Sequence, residues 1–451
     1  MLAGALSGAE SESRVEIDFS NRAQTLEGWG TSLAWWAYSV GDWEEENLDR
    51  LIHAIVDPEE GLGLNVFRYN IGGGDHPDHD HMRPYGDVPG YQIQEDGPYD
   101  WDADAGQVRV LRKLAYAAED PILEAFSNSP PWWMTHSGCA SGAEDGGQNL
   151  KREYESAFAE YLVDVVKHLN EEQGITFGTL EPLNEPNANW WRANGSQEGC
   201  FIPEDQQARL IQKVGKALEG TDLQTVVSAS DASSLNLGLR NLLSYDEETL
   251  KYLGQFNVHS YFGDRRVDVR EAAAERGLAL WQSESGPLNL GSSLTEVALL
   301  MADRIILDLN ELQPVVWNIW QVLDSHRHWR HFELDRKNQS ISHHINGQML
   351  RQFTRFIRPG AVIVPTGIPK VLSTVSDERR QAVLVLVNAS DDERERGFTL
   401  SGIPELSGEP RVYRTSENES VEAVGSAAHL DDRALTVALT PNSITSVVVE
   451  W

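Results

Sequence analysis

Short apolar runs of four to eight residues recur along the first 320 positions, each closing on polar or aromatic residues and most followed by a stretch with helical periodicity. Eight such runs read as strands: Leu26–Ser32, Leu64–Ile71, Ile122–Ser127, Phe177–Leu183, Thr225–Ser230, Phe256–Ser260, Leu278–Ser283 and Val315–Ile319. Between them, Tyr154–Leu169, Pro203–Leu218 and Leu294–Leu309 repeat apolar residues at helical spacing. Strands alternating with helices pair in parallel through right-handed crossovers. Eight such units predict a (β/α)8 TIM barrel over residues 25–355.

After Phe356 the pattern changes. Val362–Val364, Val371–Val375, Ala382–Asn388, Glu395–Leu400, Val412–Thr415, Ala434–Ala438 and Ile444–Val449 are short, β-branched and separated by Gly, Pro, Asn or Asp, and Pro359-Gly360 punctuates the boundary. This predicts an antiparallel β-sandwich over 356–451. Arg14–Phe19 has no place in the barrel and is expected to add to the sandwich, so the side domain would comprise 1–24 and 356–451.

Charge narrows the partners. Asp plus Glu number 70 against 37 Lys plus Arg, a net charge of −33, and only eight of the basic residues are Lys. Such a surface repels nucleic acid and anionic membranes. Salt would screen the self-repulsion, since the Debye length falls to roughly 3 Å at 1 M; a salt-adapted protein is the expectation, with an ordinary acidic secreted enzyme as the alternative. No run of 18 apolar residues predicts a membrane span. Met1–Ala9 is too short and lacks the basic start of a secretory signal; a secreted protein whose leader has been removed is expected ahead of a cytoplasmic one. Cys139 and Cys200 are the only cysteines. They fall in the loops after strands three and four, where they could form one bridge or remain thiols.

In a barrel of this kind the strands' C-terminal ends converge on the reactive face. Strand four ends Leu180-Glu-Pro-Leu-Asn-Glu-Pro186 and strand seven ends Leu280-Trp-Gln-Ser-Glu-Ser-Gly286. Glu185 and Glu284 thus face each other across the mouth. Glycoside cleavage with retention needs two such carboxyls about 5–5.5 Å apart, one to attack the anomeric carbon and one to protonate the leaving oxygen. The acid should be raised by burial or like charge and the nucleophile held ionised by hydrogen bonds. Asn184 can hydrogen-bond a sugar 2-hydroxyl, while Arg68 and Tyr261 can hold Glu284 as a carboxylate. Several tryptophans lie near strand ends, and Trp133 and Trp317 are the candidate subsite walls. Asp75, after Gly72-Gly-Gly74, is a candidate substrate contact. Those glycines lack the Lys-Ser/Thr of a phosphate loop.

The loops Asp75-His-Pro-Asp-His-Asp-His81 and His326-Arg-His-Trp-Arg-His331 invite a metal reading. Neither has a helical i, i+4 His pair with a third ligand, nor a zinc spacing. Hydrolysis by two carboxylates needs none, and the expectation is no metal and no cofactor.

Together with Asn-Glu-Pro closing strand four and Trp-x-x-Glu-x-Gly near strand seven, the segments Gly28-Trp-Gly-Thr-Ser32, Phe67-Arg-Tyr-Asn-Ile-Gly-Gly-Gly74 and Ser127-Asn-Ser-Pro-Pro-Trp-Trp-Met134 resemble glycoside hydrolase family 30. The stretch Ser129–Gly142 looks most like its endo-β-1,6-galactanase branch. The resemblance covers nearly the whole chain. It implies a retaining hydrolase with Glu185 as acid/base, Glu284 as nucleophile and an oligo- or polysaccharide partner, β-1,6-galactan first. Two alternatives stay open: the same chemistry on β-1,6-glucan, glucuronoxylan or a glucosylceramide, and a non-catalytic carbohydrate-binding barrel. Glucuronoxylan would call for basic residues at the cleft, for which Arg327 and Arg330 are candidates.

Overall fold

Each of the eight apolar runs forms a strand in the computed structural model, which describes residues 14–288 and 290–451. The segment on which the leader reading rests lies outside the described residues. After β1 (Val15–Asp18) come β2 (Gly28–Ser32), β3 (Val66–Asn70), β4 (Ile122–Phe126), β5 (Thr179–Glu181), β6 (Val226–Ser234), β7 (Leu253–Phe262), β8 (Ala279–Glu284) and β9 (Val316–Ile319). All neighbours among β2–β9 pair in parallel, and β9 closes onto β2, making an eight-stranded closed barrel. Most of their residues are buried, because one face packs inside the barrel and the other meets the helices; hence the near-continuous apolar runs.

The helices follow from local signals. Glu155–Gln173 stops at Gly174, whose φ of 68° suits a residue without a β-carbon. Leu294–Leu307 starts with a reciprocal cap, Ser293 accepting from the Glu296 N–H while the Glu296 carboxylate accepts from the Ser293 N–H. Two strands reach further than their apolar runs imply. β6 continues to Ser234 and β7 to Phe262, which carries Asp231, His259 and Tyr261 to the barrel mouth.

The C-terminal region forms two sheets. One has six strands in the order Val362–Val364, Val371–Ser376, Gln381–Asn388, Ser443–Glu450, Ser407–Thr415, Ser420–Ala423. The other has four, with β1 pairing in parallel with Arg394–Ser401, followed by Ala434–Leu439 and Ala428–Asp431. The first strand among the described residues therefore completes the sandwich, as its lack of a barrel role implied. Ser420–Ala423 and Ala428–Asp431 were not foreseen: they are short edge strands with mostly exposed or half-exposed residues and carry no alternating apolar pattern.

Gln381–Asn388 explains how the two parts join. Ala382, Leu384 and Leu386 point into the sandwich core with Phe398, Leu400 and Val447. Val383, Val385 and Val387 point the other way, into the core shared with the barrel's helices. Gln352 of the helix Ile345–Thr354 donates to Thr415 Oγ1 at 2.8 Å, and Ser446 donates to the Gln352 carbonyl at 2.7 Å. No helix among the described residues is long and apolar enough to cross a membrane.

Candidate active site

The barrel mouth is built from a buried charge network. At its floor Arg68, on β3, is fully buried. It donates to Glu124 Oε1 at 2.7 Å and to the Ser283 carbonyl at 3.1 Å, and contacts Asp231 Oδ2. Glu124 also accepts from Thr179, Ser228, Gln255 and Asn257 at 2.8–3.0 Å, so this buried carboxylate is saturated with donors. Burial works against both charges of the Arg68–Asp231 pair, yet each partner outweighs it. Arg68 stays charged beside Asp231, Glu124 and Glu284, and the Asp231 carboxyl is brought down to about 2 by Arg68 and His259. Glu181 is pushed well above the carboxylate range by burial and by the charges of Asp231 and Glu124, which Arg68 offsets only in part.

Above this floor stand Glu185 and Glu284. Glu284 closes β8 and is nearly buried, its side chain 7% exposed. Glu185 lies four residues past β5 in a left-handed backbone conformation, φ 44°, pinned by its N–H donating to the Asp231 carbonyl at 2.8 Å. That conformation is costly for a residue with a side chain and is held here by the surrounding structure. Carboxylate oxygens of the two residues lie within 4.8 Å of one another, with a nitrogen of His259 inside the same radius. His259 Nδ1 is 3.5 Å from Glu185 Oε1 and 3.7 Å from Glu284 Oε1, while Nε2 is 3.3 Å from Asp231 Oδ1. Burial alone would discharge this imidazole. Glu284 and Asp231 reverse that and raise it to about 10, so it is an imidazolium at neutral pH.

Tyr261 donates to Glu284 Oε1 at 2.9 Å, and Arg68 Nη1 stands 3.6 Å from Glu284 Oε2. Both thus meet Glu284 as the sequence suggested. Even so, burial lifts the Glu284 carboxyl to about 7; His259 and Arg68 pull it down while the charge of Glu185 adds to the rise. The sequence argument expected only the acid to be raised. In the structure it is Glu284, the expected nucleophile, that burial raises.

A cleft of about 420 Å3 opens over the pair. Its aromatic walls are Trp35, Trp190, Trp191, Trp320 and Trp329, and Asn184, Asn128, Arg83 and Gln197 supply polar groups. Asn184 is buried next to Glu185 with its Oδ1 unpartnered. A larger depression of about 1050 Å3 lies near the strands' other ends, by Leu123 and Ile175, and contains neither Glu185 nor Glu284.

Three candidates sit elsewhere. Trp317 is fully buried, its ring against Trp29 and its Nε1 donating to Asp308 Oδ2 at 3.0 Å. On β9 it faces the helices, so it is core and not a sugar wall. Trp133 packs edge-on against Tyr154 and donates to the Gln92 carbonyl at 3.1 Å, outside the cleft. Asp75 is nearly buried and faces His79 and His81, also away from the cleft. Arg68 reaches Glu284 but is too deeply buried to touch a substrate. Cys139 and Cys200 are free thiols, the first facing His79 and the second the Phe201 carbonyl. Sequence reasoning missed Asp231 and His259, although each lies on a strand near its C-terminal end, where the same rule would have found them.

Residues 12–266 match the family model described as O-Glycosyl hydrolase family 30. The chain is 30% identical over 407 residues to the endo-beta-1,6-galactanase of Hypocrea rufa, covering 85% of this chain and 82% of the relative. It is 26% identical over 403 residues to the exo-beta-1,6-galactobiohydrolase of Bifidobacterium longum subsp. longum, covering 67% of this chain and 26% of that longer protein. A conserved exported protein from Bacteroides fragilis has the same fold, with a TM-score of 0.80 at 20% identity over 97% of this chain and 100% of that one. The chain belongs to O-glycosyl hydrolase family 30 and is a glycoside hydrolase.

Proposed function

We propose that this enzyme hydrolyses β-1,6-linked galactan with retention, Glu284 acting as nucleophile and Glu185 as acid/base. The observation that carries the mechanism is the approach of the two carboxylates to within 4.8 Å. Retaining pairs stand about 5–5.5 Å apart, whereas inverting pairs need about 6.5–9.5 Å to admit a water between acid and base. The roles follow from the surroundings. Glu284 meets Tyr261, His259 and Arg68, all of which favour its anion. Glu185 is the more open of the two, its side chain 12% exposed, and borders the cleft beside Asn184. Those three contacts favour Glu284 as the attacking anion, and the place of Glu185 at the cleft favours it as the proton donor.

In the first step a Glu284 oxygen bonds to the anomeric carbon as the glycosidic bond breaks and Glu185 gives its proton to the departing oxygen. In the second, Glu185 takes a proton from water, whose oxygen displaces Glu284 and restores both groups. The substrate assignment draws on the names of the two β-1,6-galactan-directed relatives. Neither basic residue that the sequence offered for a glucuronate side group lines the cleft: Arg330 pairs with Glu333 at 2.9 Å, and Arg327 is not among the walls, where Arg83 is the arginine present. Fresh product from β-1,6-galactan, read by proton NMR, should carry the β-anomer, with β-1,6-glucan and glucuronoxylan hydrolysed more slowly. An α-anomeric first product would overturn the mechanism, and a faster rate on either control would overturn the substrate.

A further inference from the structure

Outside the catalytic cleft, the fold gathers a second set of functional groups from two loops. Asp75, His79 and His81 follow β3, and Cys139 follows β4; one ligating atom from each lies within 4.8 Å of all the others. The separations include His79 Nδ1 to Asp75 Oδ1 at 3.3 Å, His81 Nε2 to Asp75 Oδ2 at 3.1 Å, and Cys139 Sγ to His79 Nδ1 at 3.7 Å. Zinc bonds of about 2.0–2.1 Å to nitrogen or oxygen and about 2.3 Å to sulfur, set at tetrahedral angles, give edges of about 3.3 Å between nitrogen and oxygen and about 3.6 Å between nitrogen and sulfur. The contacts of His79 with Asp75 Oδ1 and with Cys139 Sγ have the lengths of two such edges, and His81 faces the second Asp75 oxygen, Oδ2, at 3.1 Å.

The hydrogen bonding around the cluster says the same. His81 Nδ1 is 2.7 Å from the Gly195 carbonyl, which can only accept, so Nδ1 carries the hydrogen. In the neutral ring Nε2 then offers a lone pair. It stands near Asp75 Oδ2, also a lone-pair donor, and although the two are 3.1 Å apart neither atom has a hydrogen-bond partner. The Asp75 side chain is 7% exposed. Two unpartnered donors turned towards a common point are what a bound cation requires. An outer hydrogen bond that fixes a histidine's tautomer is the usual companion of a metal ligand. Asp75 Oδ1 is steadied in turn by the Ala140 N–H at 3.2 Å.

The geometry points to a structural zinc site formed by Asp75, His79, His81 and Cys139. Thiolate and imidazole suit zinc over magnesium or calcium, and four protein ligands leave no open position for catalysis. Its work would be to staple loops. The ligands tie the segment after β3 to the one after β4, and His81 ties both to Gly195 in the loop after β5. Two residues beyond His81, Arg83 leads from this staple to the cleft wall: its N–H donates to the Ser196 carbonyl at 2.9 Å and its guanidinium lies 3.7 Å from the centre of the Trp35 ring.

The test is metal binding by the full chain, independent of glycan hydrolysis. After chelator treatment and dialysis, zinc added to the stripped protein should bind at one equivalent per chain against a chromophoric competitor. Cobalt in its place should give the thiolate-to-metal charge-transfer absorption of a tetrahedral site. Cys139→Ser should abolish that absorption, and Cys139→Ser and His79→Ala should each weaken zinc binding by more than about 100-fold, beyond what loss of an outer partner costs. Cys200→Ser should bind like the parent. Circular dichroism of each variant verifies that it is folded, and half-exposed His79 supplies the substitution least able to disturb the core. No stoichiometric zinc in the parent, or equal binding by parent and both ligand variants, would overturn the site.

Discussion

His259 Nε2 lies 3.3 Å from Asp231 Oδ1, and this contact keeps a positive charge beside both Glu185 and Glu284. Replacing His259 by Asn removes that charge. Because His259 holds the Glu284 carboxyl down, its loss should move the acidic limb of the kcat/KM profile to higher pH, by about one pH unit, the least an opposite charge at this range contributes. A pH–rate profile of the variant on galactan checks this, and an unmoved limb would refute it. Stability should change in the opposite sense. His259 rises from 6.5 to about 10 on folding, so its contribution is complete below pH 6.5 and is lost as pH climbs through 10. Alkaline unfolding curves should therefore be flatter in the variant across that window.

Tyr261→Phe keeps the ring and removes only the hydrogen bond to Glu284. A hydrogen bond to a charged group is worth roughly 1.5–3 kcal/mol, so kcat/KM should fall about 10- to 100-fold with little change in melting temperature. Steady-state kinetics beside a thermal scan measure both. A rate within twofold of the parent would remove Tyr261 from the site.

Two tryptophans should behave as opposites. Trp190, 48% exposed at the cleft, should raise KM about 2- to 10-fold as Trp190→Ala while leaving stability alone. Trp317→Phe deletes a buried donor to Asp308 and should cost about 1–3 kcal/mol of stability with KM unchanged. Denaturant unfolding and kinetics on both proteins separate the two roles.

The surplus of carboxylates, 70 acidic against 37 basic residues, should make the fold sensitive to ionic strength. The melting temperature should rise between low salt and 1 M KCl, most steeply below 0.2 M, where screening changes fastest. A scan series in KCl reads it directly, and a flat or falling trend would show that local pairs such as Lys113 with Asp49 already balance the surface.

The barrel was legible because its strands are buried on both faces, and burial writes continuous apolar runs into a sequence. Glu185 and Glu284 were legible because each closes such a run. Where a residue faces is harder to read. Trp317 sits on a barrel strand as Glu284 does, but turned towards the helices, and one tryptophan in a run does not say which side it takes. Asp231 was passed over because β6 outruns its apolar core and becomes polar at the rim, whereas His259 lay within the apolar run Phe256–Ser260, near its end, and a lone histidine there does not announce its partners. The Asp75, His79, His81 and Cys139 cluster has no spacing to recognise, since its sulfur arrives from a different loop. Distance along the chain carries no trace of that meeting.

The strand Gln381–Asn388, apolar on both sides, makes the appended sheets inseparable from the catalytic unit. Severing the chain at Pro359-Gly360 would lay Val383, Val385, Val387, Ile444 and Val448 bare to water on one fragment and strip a wall from the helices on the other. Neither piece would keep its solubility, so this accessory region cannot be exchanged or discarded as a passive module; it is the scaffold's own backing plate.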